Sequence, residues 1–325
     1  MKESLRIEGL RISFPSPSGE LVRAVEDAGL TVPPATALGL VGESGCGKTL
    51  TGLAVLRLLP PAARLERGRI FLGETDLSEL TEAEMRAVRG EQVAMIFQEP
   101  MTSLNPVYRV GDQVVEAIRA HRRLSFASAR HLALDLLDRV GIRRPRERYQ
   151  AYPHQLSGGQ RQRVMIATAL SCSPRFLIAD EPTTALDVTV QARILELIAS
   201  LRERERMGIL LITHDLGIVA GETDRVAVMY LGRMVEEGAT RDVFARPLHP
   251  YARALLRSVP RLGQGRRRLE AIRGNVPTPA LRPSGCPFHP RCPLMIPVCR
   301  REIPPLKVYE SGHRCACFRA GEEAT

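Results

Sequence analysis

Short apolar runs alternate with amphipathic stretches along the first 240 residues of the chain. Uninterrupted apolar runs predict strands that are buried on both faces, and they occur at residues 37–41, 93–97, 176–179 and 209–213. Apolar positions that recur with the period of a helix occur at residues 49–59, 110–121, 127–140, 158–170 and 189–204. Strands that alternate with helices predict an α/β fold with a largely parallel sheet.

The pattern changes after residue 240, where prolines become frequent and regular periodicity ends. We therefore expect one domain at residues 1–240 and a C-terminal extension at residues 241–325, with a basic, glycine-containing linker at 263–268. A proline-rich segment of this length builds little regular structure. Something other than secondary structure must hold the C-terminal extension, and its clustered cysteines are the first candidate.

A phosphate-binding loop is predicted at residues 42–49. Their sequence, GESGCGKT, fits G-x-x-x-x-G-K-[ST] and lies between a predicted strand and a predicted helix. The glycines let backbone amides turn inward to form an anion nest, and the helix N-terminus adds partial positive charge. Lys48 places a point charge on the phosphates, and the Thr49 hydroxyl can ligate Mg²⁺. A glycine-rich turn with an incidental lysine is the alternative.

Two carboxylates, Asp180 and Glu181, follow the predicted strand at 176–179. In open α/β sheets ligands bind at the carboxyl ends of the strands. Asp180 would therefore hold Mg²⁺, and Glu181 would activate a water molecule as general base. An acidic pair at a strand end, taken alone, is more often a helix cap, but the phosphate loop favours the catalytic interpretation.

A second anion site is predicted where Ser157, Gly158, Gly159 and Gln160 begin a helix. The chain has one lysine-bearing loop, so a second site needs an explanation. We expect two chains to sandwich ATP head to tail, with this segment of one chain covering the γ-phosphate that the other chain holds. A plain serine helix cap is the alternative.

These three motifs, in this order, resemble those of the ATP-binding subunits of ABC transporters over about residues 4–240. The resemblance implies a P-loop ATPase core with a helical subdomain at about residues 100–165. Gln98 matches the Q-loop glutamine, and Asp187 matches the D-loop aspartate at the dimer interface. His214 matches the switch histidine, and Phe14 is the aromatic residue expected to stack on adenine.

By this resemblance, catalysis falls to Glu181, His214 and Gln98, and Mg²⁺ to Thr49, Gln98 and Asp180. The residues that the resemblance assigns to ATP are Phe14, Gly42, Ser44, Gly45, Cys46, Gly47, Lys48, Thr49, Leu50, Gln98, Asp180, Ser157, Gly158, Gly159, Gln160 and Asp187. Cys46 contributes only its backbone amide.

Segments at residues 98–106, 152–159, 182–191 and 248–251 resemble the dipeptide, oligopeptide and nickel importers. This resemblance implies an ATPase that powers the import of peptides or of related solutes such as nickel complexes. It implies two multi-span permease subunits, a second ATP-binding subunit, paralogous or identical, and an extracytoplasmic solute-binding protein. The chain would then be a peripheral protein on the cytoplasmic face of the inner membrane.

The formal net charge is +10, and all but three of the 46 basic residues are arginine. A GC-rich genome explains the arginines; a basic surface for nucleic acid or anionic lipid is the functional alternative. The charge alone supports our alternative function, a soluble ABC ATPase acting on nucleic acid or ribosomes, and we expect no nucleic-acid partner. Glu181 and His214 together argue against a subunit that binds ATP without hydrolysing it.

The N-terminal residues lack the apolar core of a signal peptide, and no apolar run reaches about 18 residues, so we expect no membrane span.

Five of the seven cysteines lie in the last 40 residues: Cys286, Cys292, Cys299, Cys315 and Cys317. Without a secretion signal, such clustering favours metal binding over disulfides. Structural zinc sites use tighter pairs, whereas widely spaced cysteines among prolines can wrap a four-iron four-sulfur (4Fe-4S) cluster. The importer subfamily includes members with such a cluster, which implies Cys286, Cys292, Cys299 and Cys317 as ligands, with Cys315 as the alternate for Cys317. The expected cofactors are therefore ATP, Mg²⁺ and a 4Fe-4S cluster, with zinc or free thiols as alternatives.

Overall fold

The computed structural model describes residues 3–17, 19–98, 103–183, 187–258 and 272–322. The strands are β1 (Leu5–Pro15), β2 (Leu21–Val32), β3 (Ala37–Val41), β4 (Arg64–Leu72), β5 (Thr75–Asp76), β6 (Val93–Ile96), β7 (Phe176–Asp180), β8 (Gly208–Ile212), β9 (Arg225–Tyr230), β10 (Arg233–Ala239), β11 (Lys307–Val308) and β12 (Arg314–Cys315). The α-helices are α1 (Lys48–Val55), α2 (Glu82–Val88), α3 (Val110–His121), α4 (Phe126–Arg139), α5 (Pro145–Tyr149), α6 (Gly158–Ala169), α7 (Val188–Glu205), α8 (Leu216–Glu222), α9 (Thr240–Ala245) and α10 (Pro250–Arg257). Short 3₁₀ helices are at Pro153–Gln155, Pro279–Leu281, His289–Arg291, Pro297–Arg300 and Glu310–Gly312.

Three sequence predictions lie wholly or partly outside the described residues: the linker at 263–268, residues 99–102 of the segment at 98–106, and residues 184–186 of the segment at 182–191. Within the described ranges, no helix combines the length and the apolar composition that crossing a membrane requires.

The chain divides into two compact units. The first unit comprises Met1–Val32, Ala37–Ser78 and Leu211–Thr325, and the second comprises Pro33–Thr36 and Glu79–Leu210. The boundary falls within β8, whose last two residues belong to the first unit.

In the first unit, β1 pairs antiparallel with both β2 and β4. β9 pairs antiparallel with β10 and parallel with β3. The sheet here is therefore more antiparallel than the apolar runs predict. The reason lies in β1, which buries Leu5, Ile7, Leu10 and Ile12 and turns most of the intervening side chains outward. Such a half-buried strand alternates polar and apolar positions, so it contains no uninterrupted apolar run.

In the second unit, the fully buried strands β6 and β7 pair in parallel, with Val93 opposite Phe176 and Ile96 opposite Ala179. Helices α3, α4, α5 and α6 pack against one another in the same unit. The Tyr149 hydroxyl donates to Asp112 Oδ1 at 2.9 Å, which ties α5 to α3. Burial and this carboxylate raise the pKa of Tyr149 to about 12, so the phenol remains a donor at neutral pH.

Most predicted elements form close to their expected positions. Helix α3 has the predicted bounds, whereas α1 ends at Val55, four residues before the predicted end. The chain leaves α1 through Arg57, which adopts the left-handed conformation with φ of 52°. This turn ends the helix before the Pro60-Pro61 pair that follows it in the sequence.

The C-terminal extension belongs to the first unit and shares its apolar core. Strand β12 pairs antiparallel with β10, with Cys315 opposite Glu236. Tyr251 and Phe288 of the extension pack on Tyr230 of β9, with ring centroids 4.7 and 5.3 Å from that of Tyr230. The proline-rich segment is thus held by strand pairing and by aromatic packing.

The carboxyl of Glu236 on β10 is fully buried and accepts three hydrogen bonds. The donors are Leu248 N at 2.8 Å, His249 N at 2.7 Å and His313 Nε2 at 2.7 Å, all from the C-terminal extension. His249 in turn caps α10, because its Nδ1 accepts from Tyr251 N at 3.0 Å. Burial lowers the pKa of His249 to about 3, so the ring is neutral at physiological pH.

The low pKa of His249 predicts a loss of stability in mild acid. The unfolded chain protonates this histidine near pH 6.5, whereas the folded chain does so near pH 3. The contribution of neutral His249 to the free energy of unfolding is therefore complete above pH 6.5. It falls as the pH drops towards 3, by up to about 1.4 kcal/mol per pH unit. His249→Asn keeps a capping acceptor but cannot titrate. Urea unfolding at pH 7.0, 6.0 and 5.0 should show a smaller loss for the variant; equal losses would contradict the assignment.

Candidate functional site

The predicted phosphate loop joins β3 to α1, in the context that its pattern requires. Gly47 caps α1 in the left-handed conformation with φ of 103° and ψ of 5°. At Gly42 a Cβ atom would lie 2.2 Å from the carbonyl oxygen of Met229 at the end of β9. Glycine is thus required at Gly47 by backbone conformation and at Gly42 by close approach.

Lys48 is buried and its ammonium group folds over the loop. Nζ donates to the carbonyl oxygens of Gly42 at 2.8 Å and Glu43 at 3.1 Å, and lies 3.8 Å from Cys46 Sγ. Burial raises the pKa of the Cys46 thiol, although Lys48 opposes this, so the side chain is a neutral filler inside the loop. Ser44 and Gly45 are exposed, and Thr49 and Leu50 are half-buried.

Gln98 and Glu181 meet in the second unit. Asp180, 1% exposed, ends β7, and Glu181 follows it. Gln98, two residues beyond β6, donates from Nε2 to Glu181 Oε2 at 3.3 Å. Glu181 adopts φ of 47°, which is uncommon for a residue other than glycine. The predicted base is therefore held in an unusual backbone conformation with an amide donor on its carboxylate.

Gln162 is a neighbour that the sequence analysis missed. It lies on the buried face of α6, 1% exposed, and its Nε2 donates to the carbonyl oxygen of Pro182. Pro182 directly follows Glu181, so this bond fixes the chain beside the predicted base. The available signal was a glutamine followed by Met165 and Ile166 on the face of a helix that must be buried.

Ser157 and Asp187 both act as helix caps in this structure. Ser157 Oγ accepts from Gln160 N at 3.3 Å, and Gln160 Oε1 accepts from Ser157 N at 3.0 Å, forming a capping box on α6. Gly158 and Gly159 form the first turn of that helix. Asp187 Oδ1 accepts from Val190 N at 2.9 Å at the start of α7. The N-terminus of α6 is thus ordered before any anion arrives.

In the first unit, His214 is exposed between β8 and α8. Its neighbours are firmly held, because Asp215 N donates to Thr213 Oγ1 at 3.0 Å and Asp215 Oδ1 accepts from Gly217 N at 2.8 Å. Asp215 was also missed, although an aspartate before an apolar run is a helix-start signal. Phe14 is half-buried on β1, opposite Val22.

Residues 25–184 match the family model described as ABC transporter, and residues 235–299 match that of the oligopeptide/dipeptide transporter C-terminal region. A probable peptide ABC transporter ATP-binding protein of Sinorhizobium fredii is 51% identical over 304 residues, covering 93% of this chain and 91% of that protein. The chain belongs to the ATP-binding proteins of peptide ABC transporters. The dipeptide transport ATP-binding protein DppD of Bacillus subtilis is 46% identical and covers 100% of this chain and 97% of its own length. The oligopeptide transport ATP-binding protein OppD of Salmonella typhimurium is 47% identical, with 98% and 94% covered.

The fold agrees with this family. The dimeric structure of MJ0796, a bacterial ABC transporter cassette, matches with a TM-score of 0.66 and 25% identity, covering 73% of this chain and 99% of that chain. The predicted P-loop ATPase fold, the ATP-binding activity and the resemblance to peptide importers are therefore confirmed. The alternative function, an ATPase acting on nucleic acid or ribosomes, gains no support from these relatives.

The predicted 4Fe-4S cluster is wrong. Cys286, Cys292, Cys299 and Cys317 line one cavity, but its volume is only about 10 Å³, near the minimum for a single water molecule. Among the residues that the structure describes, no three His, Cys, Asp or Glu side chains are placed to hold a metal ion, so the zinc alternative has no support either. Burial raises the pKa of Cys286 to about 12 and that of Cys317 to about 11, which favours thiols over the thiolates that metals require. The alternate ligand, Cys315, is buried on β12.

Removing the amide of Gln162 should slow ATP hydrolysis without weakening ATP binding. Gln162→Met keeps the length of the side chain but leaves the Pro182 carbonyl without its donor, at a cost of about 1–3 kcal/mol for a buried group. We expect kcat to fall roughly tenfold, with the Kd for ATP changed less than about twofold. Thr168→Val is the control, because the Thr168 hydroxyl donates to Val164 O within α6 itself. If both variants keep the same kcat, Gln162 does not position Glu181.

Proposed function

We propose that this chain hydrolyses ATP as one of two ATPase subunits that drive the uptake of peptides through a membrane transporter. The observation that most supports this proposal is the hydrogen bond of 3.3 Å from Gln98 Nε2 to Glu181 Oε2, beside the buried Asp180. It places a carboxylate and an amide together, in a chain that also contains a formed phosphate loop. The relatives described above, which are peptide, dipeptide and oligopeptide transport proteins, support the solute class.

ATP would bind to the phosphate loop, where Gly42, Ser44, Gly45, Cys46, Gly47, Lys48, Thr49 and Leu50 would contact its phosphates. Lys48 Nζ would exchange its carbonyl partners for phosphate oxygens. Phe14 would stack on the adenine. The side chains of Thr49, Gln98 and Asp180 offer the hard oxygen donors that Mg²⁺ prefers, and the ion would neutralise charge on the phosphates when bound.

Glu181 would accept a proton from the attacking water as general base. The Gln98 amide donates to the Glu181 carboxylate, and the Gln162 amide donates to the carbonyl oxygen of Pro182, the residue after Glu181. His214 would contact the γ-phosphate. Because the capped N-terminus of α6 is itself an anion site, the Ser157 to Gln160 segment would cover the γ-phosphate held by the other subunit, with Asp187 at the same dimer interface.

The proposed assembly contains two permease subunits, a second and paralogous ATP-binding subunit, and an extracytoplasmic solute-binding protein. The chain would lie on the cytoplasmic face of the inner membrane as a peripheral protein. We assign ATP binding to residues 1–240, with the helical subdomain at about 100–165, and treat residues 241–325 as the extension. The match of residues 235–299 to the transporter C-terminal region supports this role of the extension.

Replacing the proposed base separates ATP binding from hydrolysis. Glu181→Gln keeps the shape of the side chain but removes the proton acceptor, so we expect kcat to fall at least 100-fold while the Kd for ATP changes less than about threefold. Lys48→Ala is the matched contrast, because it removes phosphate binding itself and should raise the Kd. Single-turnover hydrolysis and equilibrium ATP binding measure the two effects. Near-normal hydrolysis by Glu181→Gln would assign the base to another residue.

Purification from membranes tests the assembly. Affinity purification of the full chain in mild detergent should recover two multi-span membrane proteins and a second ATPase, identified by mass spectrometry. Recovery of ribosomal protein or nucleic acid without membrane subunits would overturn the transport proposal. The Glu181→Gln variant in the presence of ATP provides a control, since blocked hydrolysis should retain the paired ATPase subunits.

A further inference from the structure

Two residues of the C-terminal extension reach into the phosphate loop at Glu43. Tyr251 Oη accepts from the backbone N–H of Glu43 at 2.9 Å. The Arg291 guanidinium donates two parallel hydrogen bonds to the Glu43 carboxylate, from Nη1 to Oε2 at 2.7 Å and from Nη2 to Oε1 at 3.0 Å. Bidentate pairs of this kind are the stronger and more directional class of ion pair. Both the main chain and the side chain of Glu43 are thus held from the C-terminal extension.

Arg291 is itself rigidly placed. Its side chain is 5% exposed, and its guanidinium also donates to the carbonyl oxygens of Arg273 at 3.0 Å and Gly274 at 3.2 Å. The cation lies over the rings of Tyr230 and Phe288, 5.8 and 5.9 Å from their centroids. A guanidinium held by all these contacts fixes the position of the Glu43 carboxylate. A solvent-exposed ion pair, in contrast, contributes little to stability.

Tyr251 is fully buried against the same two rings, with centroids 4.7 Å from Tyr230 and 5.3 Å from Phe288. Burial raises the pKa of its phenol, so the hydroxyl is neutral and accepts the Glu43 N–H without adding charge. Tyr251 thus turns one amide of the phosphate loop towards the aromatic cluster and fixes the first turn of the loop.

The charge of Glu43 explains why such support matters. The Glu43 carbonyl is a direct partner of Lys48 Nζ at 3.1 Å, so Glu43 lies within the segment that carries the phosphate-binding lysine. An unpaired carboxylate there would repel the phosphates of ATP and compete for the lysine. The paired Arg291 offsets that negative charge and holds the side chain in one conformation.

We propose that Arg291 and Tyr251 are positioning residues of the ATP site, through which the C-terminal extension sets the affinity of the phosphate loop for ATP. Arg291 acts mainly by neutralising Glu43, and Tyr251 acts by fixing the Glu43 backbone. This inference rests on the proposed function of residues 42–49 as the ATP-binding loop.

The test is equilibrium binding of ATP to the full chain and its variants. Arg291→Met should raise the Kd for ATP roughly tenfold, because it leaves Glu43 unpaired. The double variant Glu43→Gln with Arg291→Met should return to within about threefold of the wild type, since no charge then needs a partner. Tyr251→Phe, which keeps the ring, should raise the Kd about threefold. Arg314→Met is the matched control, because Arg314 pairs with Glu237 on β10 at 3.0 Å, and it should bind ATP as the wild type does.

The outcomes separate this inference from the proposed function. Wild-type affinity in Arg291→Met, or a double variant no better than Arg291→Met, would overturn the role of Arg291. If the wild type and Lys48→Ala bind ATP equally, the proposed site itself fails. Thermal unfolding is recorded for every variant. Should Arg291→Met not fold, Arg291→Gln keeps a donor for the neighbouring carbonyls without the charge, and the same roughly tenfold loss is expected of it.

Discussion

The buried carboxyl of Glu236 is the interaction on which the C-terminal half of the first unit depends. A buried polar group without partners costs several kcal/mol, and here all three donors come from the C-terminal extension: Leu248 N, His249 N and His313 Nε2. β10 therefore buries this residue at low cost only when the extension covers it. The extension in turn is placed by β10, because β12 pairs with that strand.

The geometry of the phosphate loop follows from this constraint. Glu236 fixes His249, which caps α10, and the first turn of α10 carries Tyr251 to the Glu43 N–H. The same aromatic cluster that receives Tyr251 supports the Arg291 guanidinium. One buried carboxyl and a small apolar core thus fix the C-terminal extension, although it has little regular secondary structure. The extension in turn fixes the phosphate loop, which lies more than 200 residues earlier in the chain.

Much of the fold follows from local rules in the sequence. The bounds of α3, the strand before Asp180 and the loop ending at Thr49 come from periodicity, apolar runs and glycine spacing, each of which acts over a few residues. The missed contacts have no local signature. Gln162 meets Pro182 twenty residues away, and Arg291 meets Glu43 across 248 residues. In a chain whose basic residues are nearly all arginine, nothing near Arg291 distinguishes it from the others. The cysteine spacing misled for a related reason, since closeness in sequence does not give the side chains ligand geometry.

The strained backbone of Glu181 lowers the stability of the second unit. A non-glycine residue with φ of 47° costs about 1–3 kcal/mol and persists only where the surroundings impose it. Two contacts do so here: the Gln98 amide donates to the Glu181 carboxylate, and the Gln162 amide donates to the carbonyl oxygen of Pro182. The Gln162 bond is fully buried, and breaking it would leave a carbonyl without a donor, at a cost comparable to the strain. The strained conformation is therefore stable while both amides remain in place. As the proposed general base, Glu181 held in this way would lose little orientational entropy when water arrives, which would be the physical reason to keep the strain.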